Sequence, residues 1–319
     1  MAASSPSRWR ALLLDYLGML LVLGLLILFF STTTRNFWSA SNFSTIANQV
    51  PVAIVLAVGM TFVLIVGGID LSVGSVLALA GAVAGVCLVK WNLGVPVALL
   101  AALLVGLACG AVNGLIVTVG RIPSFIVTLG MLEMARGGAA LVLDQRKEFL
   151  YGALDWVRAP VLFGLTPAFL AAIMIAVVGQ LILTRTVFGR YMIAVGTNEE
   201  VVRLAGINPK PIKLAVFALC GLLAGVAAIF HCADIGLADP TAASAFELQA
   251  IAAVVIGGTS LMGGRGSVLN SLLGVVIIAV LQTGLVQVGA SDPMKRVITG
   301  GVIVVAVLLD RYRQAGTAS

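Results

Sequence analysis

Charged side chains are scarce in this sequence. Asp, Glu, Lys and Arg make up 10% of the 319 residues, whereas hydrophobic residues make up 61%. A soluble domain has about 25% charged residues, and no water-soluble fold of this length could bury so much apolar surface. The sequence therefore predicts a polytopic membrane protein. Its net charge of +6 comes from basic residues dispersed through short loops. This dispersal is typical of topology determinants and does not indicate nucleic-acid binding.

Histidine and catalytic motifs are also lacking. His231 is the only histidine, so the sequence cannot supply a histidine-based metal site, a Ser/His/Asp triad or an HExxH motif. The four cysteines lie in or at the ends of apolar runs without CxxC spacing, which is typical of small core residues. No G-x-x-x-x-G-K-[ST] motif occurs, so we expect no ATPase site in this chain. We predict a protein that is not an enzyme and that has no metal and no cofactor of its own.

Long apolar runs dominate what remains. Because they are continuous and do not alternate with period two, they predict helices and exclude a β-barrel. We predict a single all-α membrane domain over residues 1–319 with about ten transmembrane helices, some short or broken. The first apolar run, residues 11–30, is interpreted as a transmembrane span and not as a cleaved signal peptide. The ten candidate spans are 11–30, 50–66, 73–89, 95–119, 122–141, 161–183, 214–231, 247–262, 268–288 and 297–310.

The distribution of basic residues predicts the orientation. An even number of spans places both termini on one side of the membrane. Both termini are basic, and the polar segment 184–213 holds five further Lys and Arg residues. Because cytoplasmic loops are enriched in Lys and Arg, we expect three cytoplasmic segments: residues 1–10, the loop 184–213 and the tail 311–319.

A lone carboxylate, Asp70, interrupts the apolar sequence within "VGGIDLSVGS", residues 66–75. The preceding run, 50–66, makes about 25 Å of helix, which is short of the ~30 Å hydrocarbon core. We predict that Gly67 and Gly68 break the helix and that a new helix begins near Val73. Asp70 and Ser72 then either cap the new helix or form part of a translocation pathway, and these two interpretations are compatible.

A second stretch, "GGTSLMGG" at 257–264, resembles "GGIDLSVG" at 67–74. Both follow short apolar segments, and both precede a new span. Paired glycine-interrupted segments in the two halves of a chain are the best sequence indication of a transport site. We therefore predict a second break at Gly257 and Gly258, with Thr259 and Ser260 beside it.

Within the polar segment 184–213, "NEEVVRLAG" predicts a short capped helix. Asn198 suits the N-cap, Glu199 and Glu200 suit the positive end of the helix dipole, and Gly206 suits the position after the C-cap. The prolines at 209 and 211 prevent the helix from continuing. Such a helix is either a docking element or an ordinary solvated connector.

Five motifs, which occur in the same order in a known family, run through most of the chain. They are "VGMTFVLIVGGIDLSVGSVLAL", "FIVTLGMLEMARG", "FGRYMIAVGTNEEVVRLAGI", "GLLAGVAAI" and "ELQAIAAVVIGGTSLMGGRGS". On these motifs the chain resembles the ribose-type permeases, the membrane subunits of bacterial ABC importers for monosaccharides. The resemblance implies a multi-pass protein of the bacterial inner membrane. It also implies a homodimer, or a pair of related permeases, a periplasmic sugar-binding protein, and a cytoplasmic ABC ATPase that binds ATP.

The resemblance also implies roles for individual residues. Residues 196–207 would form the coupling helix that contacts the ATPase, and this role is carried by Gly196, Asn198, Glu199, Arg203, Gly206 and Ile207. We expect the permease itself to bind its cargo, a pentose or related sugar, weakly. The candidate polar contacts are Asp70, Ser72, Asn113, Thr128, Thr259 and Ser260.

Two points stay open. Another cargo, such as an autoinducer-type sugar derivative, a nucleoside or a branched-chain amino acid, would use the same machinery, whereas an ion-coupled carrier or a passive channel would need no ATPase. Glu133 and Arg136 can share a helix face, either as a structural ion pair or with Glu133 as a polar lining of the pathway.

Overall fold

A computed structural model describes residues 8–34, 37–291, 293–295, 297–302 and 304–305, with side chains described from residue 17 onward. The predicted all-α fold is confirmed. The helices are α1 Arg8–Thr33, α2 Ala40–Gln49, α3 Pro51–Ile65, α4 Val73–Gly85 with a π-helical turn Val86–Lys90, α5 Val95–Gly120, α6 Ser124–Val142, α7 Asp155–Arg158, α8 Pro167–Arg185, α9 Val187–Thr197, α10 Glu199–Leu204, α11 Pro209–Ile235, α12 Phe246–Ile256 and α13 Val268–Gln287. Strands β1 Glu148–Phe149 and β2 Leu237–Ala238 pair antiparallel.

Six helices in the described ranges are long and apolar enough to cross a membrane. They are α4 with its π-helical turn, α5, α6, α8, α11 and α13. A seventh span results if α2 and α3, which meet at a bend of 45°, are counted together. Two shorter apolar helices, Leu17–Thr33 and α12, complete the set. The predicted count of about ten is thus approximate, because short helices are as much part of this fold as full spans.

Some predicted boundaries differ from the structure. The span predicted at 161–183 begins at Pro167, and the span predicted at 247–262 ends at Ile256. The segment 184–213 is not simply a loop, since it contains α9 and α10 as well as the first turn of α11. Within the run predicted at 297–310, residues 297–302 and 304–305 are helical, and the remaining positions lie outside the described residues.

Helices α5 and α11 make the most extensive helix–helix contact in the described part of the chain. Their contact is built from Gly106 and Gly110 on α5 and from Gly221 and Gly225 on α11, each pair spaced as small-xxx-small. A Cβ atom added at Gly106 would lie 2.3 Å from the carbonyl oxygen of Gly221, and one added at Gly221 would lie 2.2 Å from that of Gly106. The absence of side chains therefore lets the two backbones touch, which is how helices associate where no hydrophobic effect drives them together.

Helix α3 is the central helix of the bundle. All of its residues except Val52 and Ala53 are buried, which explains why its sequence is hydrophobic all round. Its last residue, Ile65, lies against the glycine that precedes α10. We call this end of the bundle the α10 end. The pair β1–β2 and helix α7 belong to the opposite end.

An irregular segment, residues 239–245, connects β2 to α12 alongside α4. Ala238 contacts Gly85 near the far end of α4, whereas the carbonyl of Ala243 contacts Gly74 near its start. Ala243 and Ala245 have positive φ values of 55° and 69°. Helix α12 therefore begins beside the start of α4 and runs from there to the α10 end as a half-length helix. This segment was not predicted from the sequence.

Candidate translocation and coupling site

The predicted break after α3 is present, and its hydrogen bonding explains the two glycines. The N–H of Gly67 bonds to the carbonyl of Leu64, and the N–H of Gly68 bonds to the carbonyl of Val63, each at 2.9 Å. These two bonds define a Schellman motif, which requires a left-handed residue after the C-cap. Gly67 supplies it with φ +75°. The chain then stays non-helical until Val73.

Four of the predicted polar residues meet at this break. Asp70 Oδ1 accepts hydrogen bonds from the backbone N–H of Ser72 at 2.9 Å and from its hydroxyl at 2.6 Å. Asn113 on α5 donates to the Ser72 hydroxyl at 3.0 Å. Thr128 on α6 accepts from the N–H of Leu71 at 3.1 Å. All four polar side chains are buried, so they fasten the broken segment to α5 and α6.

The capping interpretation needs a correction. Ser72 occupies the N-cap position of α4 but makes no side-chain bond to the first turn of that helix. The Asp70 carboxylate bonds to the N-cap residue itself and not to an N–H inside the helix. Asp70 therefore stabilises the turn that leads into α4, a local side-chain-to-backbone arrangement typical of Asp.

The second break repeats the first one with a shift of one residue. After α12, the N–H of Gly258 bonds to the carbonyl of Val255 at 2.8 Å, and the N–H of Thr259 bonds to that of Val254 at 3.1 Å. Gly258 has φ +81°. Gly258 is thus the structural equivalent of Gly67, although the sequence alignment pairs Gly67 with Gly257. The two breaks therefore share one backbone motif. Their equivalent residues are set by position relative to the helix ends and not by the sequence alignment.

The polar residues of the second break face inward as well. Thr259 is fully buried and lies 3.5 Å from the hydroxyl of Ser271 on α13, which in turn accepts from Thr61 on α3 at 2.8 Å. Ser260 is 6% exposed, and its hydroxyl accepts from the N–H of Met262 at 3.2 Å. These groups tie the break to α3 and α13.

Helix α13 begins with a cap from a distant helix that the sequence did not indicate. The side-chain oxygen of Gln180 on α8 accepts from the backbone N–H groups of Val268 at 2.9 Å and Leu269 at 3.2 Å. These are two of the N–H groups that a helix cannot satisfy within itself. Gln180 therefore fixes the start of α13 directly after the second break.

The two breaks contact each other and the end of α9. The N–H of Gly264 donates to the carbonyl of Ile65 at 2.9 Å. Gly196, one residue before the end of α9, lies against both groups. A Cβ atom added to it would be 1.7 Å from the Ile65 oxygen and 2.6 Å from the Gly264 nitrogen. Only glycine fits at 196, and the segment leading into α10 is therefore in backbone contact with both breaks.

Helix α10 has the caps that the sequence predicted. Asn198 accepts from the N–H of Val201 at 3.0 Å. At the other end, Gly206 has φ +80° and donates to Arg203, while Ile207 donates to Val202, which makes a third Schellman motif. Glu199 pairs with Lys213 on α11, so this predicted docking residue also holds α10 to the bundle.

The most exposed apolar side chains of α10 were not among the predicted residues. Val201 is 58% exposed and Leu204 is 79% exposed, and their i, i+3 spacing puts them on one face. Beside them Arg203 pairs with Glu200 at 2.6 Å. Val202 points inward and is 7% exposed. The signal that could have found this face is the apolar i, i+3 pair in a segment otherwise rich in charge.

The expected Glu133–Arg136 ion pair is not formed between these two described residues. Arg136 instead donates to the carbonyls of Pro240 at 3.1 Å and Ala242 at 2.6 Å, and so holds the irregular segment 239–245. Glu133 is exposed. The same segment is tethered by Asp239. Partial burial opposes ionisation of this carboxyl, but hydrogen bonds from Lys147 and Thr241 outweigh it and lower the pKa of Asp239.

The comparison with known protein families decides what kind of protein this is. The family model described as the permease component of the branched-chain amino acid transport system matches residues 42–307. The chain belongs to this permease family. The match includes both breaks, α9 and α10. The predicted multi-pass location in the inner membrane is thereby confirmed.

Curated relatives place this permease among the ribose-type permeases, as the motifs predicted. It is 41% identical over 302 residues to the ribose import permease protein of Escherichia coli (strain K12), covering 92% of this chain and 93% of that one. It is 36% identical over 303 residues to the ribose import permease protein of Bacillus subtilis (strain 168), covering 94% of each. It is 33% identical over 365 residues to the xylose transport system permease protein of E. coli (strain K12), covering 94% and 93%. No solved structure matches this permease.

Proposed function

We propose that this permease is the membrane-spanning subunit of an ATP-driven importer for a pentose or a related monosaccharide. Relatives named for ribose and xylose import support the cargo class. In this proposal two copies of the chain surround one pathway, and a periplasmic binding protein delivers the sugar to it. A cytoplasmic ABC ATPase binds ATP, and this chain supplies neither an ATPase site nor a cofactor.

The α10 end is the cytoplasmic end in this proposal, and α10 is the element on which the ATPase acts. Its exposed Val201 and Leu204 provide an apolar face, and the neighbouring pair of Glu200 and Arg203 provides charge at its rim. Exposed apolar groups with a polar border are typical of protein contact sites. The interpretation of this segment as a simple solvated connector leaves that face unexplained.

The observation that carries the mechanism is the contact of Gly196 with Ile65 and Gly264. A displacement of α10 moves Gly196, and Gly196 has no side chain that could yield. The displacement is therefore passed to the end of α3 and to the segment that follows α12. Coupling of this kind requires a two-state element that the motor biases, and the joined breaks are that element.

The polar residues of the breaks act as fasteners in this mechanism. Asp70, Ser72, Asn113 and Thr128 bond to one another or to the backbone of the break, and this preserves its shape while it moves. Buried hydrogen bonds of this kind make a segment rigid. The break can then move as a unit and does not unfold.

The test is transport by the purified chain in proteoliposomes with and without its partners. We expect uptake of D-ribose or D-xylose only when the ATPase, ATP and the loaded binding protein are all present. Accumulation of sugar by the chain alone, driven by an ion gradient, would instead identify a secondary carrier. Conductance without ATP would identify a channel. Both outcomes contradict the proposal.

A second cargo class follows from the description of the matching family, which refers to branched-chain amino acids. The same proteoliposomes, assayed with L-leucine, distinguish the two classes. We expect no uptake of L-leucine under conditions that support uptake of a pentose.

A further inference from the structure

A cavity of about 1210 Å³ lies between α2, α3, α12 and α13. Each helix contributes one face to it. On α12 the lining residues are Phe246, Leu248, Gln249, Ala250 and Ala253, and all of them except Leu248 lie three or four residues apart on one face. Helix α3 contributes Val52, Ala53 and Leu56, which include the two residues of α3 that are not buried. Alanines on α3, α12 and α13 keep the cavity wide.

Three glutamines face this cavity without a partner. Gln49, Gln249 and Gln282 line it, and their side-chain amides make no hydrogen bond to another described residue. Two further glutamines serve as a contrast, since Gln180 caps α13 and Gln287 donates to Asn42 at 2.6 Å. An amide inside a membrane protein is costly unless it bonds to something, so the free amides mark a place for water or a solute.

The three glutamines form a series along the cavity. Gln49 lies at the end of α2, next to the start of α3 and away from the α10 end. The contacts of Gly274 with Ala253 and of Gly257 with Asn270 show that α12 and α13 run antiparallel. Gln249, one turn before Ala253, therefore lies nearer the α10 end than Gln282, which is two turns beyond Gly274.

The polar residues that the sequence predicted as cargo contacts do not line this cavity. Asp70, Ser72, Asn113, Thr128 and Thr259 are buried between helices and do not line the cavity. The cavity lining in the described residues contains amides and hydroxyls, one charged residue, Lys295, and no carboxylate. A neutral sugar needs no ionic partner, and its hydroxyls pair well with amides, which both donate and accept.

We propose that Gln249 and Gln282, with Gln49 at the entrance, are the groups that hydrogen-bond the hydroxyls of a neutral monosaccharide in this cavity. This inference rests on the proposed function, since it assigns the contacts of the sugar. The small apolar side chains beside the amides pack against the C–H faces of the sugar ring. Few neutral bonds in an open cavity give weak binding, as a site that must release its cargo requires.

The experiment is thiol protection in the assembled importer in membrane vesicles. The reporter is Thr283→Cys, which lines the cavity, in a Cys109→Ser background because Cys87, Cys220 and Cys232 are buried. A water-soluble thiol reagent modifies the reporter, and D-ribose or D-xylose slows the modification. Gln249→Met and Gln282→Met keep the side-chain length and remove the amide. We expect each to raise the half-protective sugar concentration about fivefold, the effect of one neutral hydrogen bond.

The matched control is Gln145→Met, the same change at an exposed glutamine away from the cavity, which leaves the protective concentration unchanged. Unchanged protection in both Gln249→Met and Gln282→Met overturns the inference while the proposed function stands. Where a methionine variant fails to reach the membrane, Gln249→Asn and Gln282→Asn replace it, and they are expected to weaken protection less than loss of the amide. A wild-type importer that takes up neither sugar refutes the proposed function itself.

Discussion

The backbone carbonyl of Ile65 accepts a hydrogen bond from the backbone N–H of Gly264 at 2.9 Å. This bond joins the end of α3 to the segment after α12, across about two hundred residues of sequence. Because it involves main-chain atoms only, its existence depends on the shape of the two breaks and not on the side chains at those positions. In the proposed mechanism, movement of one break would therefore move the other.

Gly196→Ala should uncouple ATP hydrolysis from transport. The added methyl group would lie 1.7 Å from the Ile65 oxygen, so α9 must move away from both breaks. We expect sugar uptake to fall more than tenfold, as misplacement by about 1 Å costs a functional site, while the ATPase continues to hydrolyse ATP. Uptake and hydrolysis measured in the same proteoliposomes check this.

The control for that change is Gly130→Ala on α6. A Cβ atom there meets nothing within 4 Å, so we expect unchanged uptake. Normal coupling in Gly196→Ala would show that the contact with the breaks is not the route of transmission.

Leu204→Asp should weaken binding of the ATPase. Leu204 is 79% exposed, so the change removes little packing within the folded permease. An interface that buries this side chain loses about 1.5–3 kcal/mol, which is about tenfold or more in affinity. Co-purification of the ATPase and a titration of ATPase activity measure this. Glu199 is a less direct test because it also pairs with Lys213. Unchanged affinity of the Leu204→Asp variant for the ATPase would show that α10 is not the docking site.

Asp70→Ala should destabilise the permease by about 1–3 kcal/mol, because the N–H and the hydroxyl of Ser72 lose their acceptor in a buried site. Asp70→Asn keeps an acceptor oxygen and should cost less. The melting temperature of the purified protein in detergent ranks the two variants. Equal stability of both variants and the wild type would mean that Asp70 does not hold the break.

Gln180→Leu should loosen the start of α13. It leaves the N–H groups of Val268 and Leu269 without their acceptor, at a cost of about 1–3 kcal/mol. Amide hydrogen exchange of the first turn of α13 reports the change directly. The same substitution at exposed Gln145 should leave exchange in α13 unaffected.

The sequence predicted the elements that have strong local signals. Both breaks were predicted from their glycine pairs, because a left-handed residue after a helix end is nearly always glycine. Asn198 and Gly206 gave both ends of α10 for the same kind of reason. Asp70, Ser72, Asn113 and Thr128 were predicted, together with Thr259 and Ser260, as polar contacts for the cargo. The structure brings these four together at the first break, where they bond to one another and to the backbone, and their contact with cargo stays a prediction.

Features that depend on distant partners were not predictable from one sequence. Gln180 looks like any polar residue in a span until α13 is placed against it. The partners of Arg136 are carbonyls more than one hundred residues away, and the nearby Glu133 was the more obvious choice. The role of Gln249 and Gln282 depends on four helix faces meeting around one space, which no local pattern encodes.

The shortness of α12 affects the permeation barrier. Its 11 residues span about 16 Å, roughly half of the ~30 Å apolar thickness of a bilayer. The segment before it, 239–245, is not helical. Only this half-length helix and the glycine contacts at its end therefore separate the two aqueous sides at this position. In the proposed mechanism a small displacement there would switch the sealed side, and an imperfect fit at the same place would make the membrane leak.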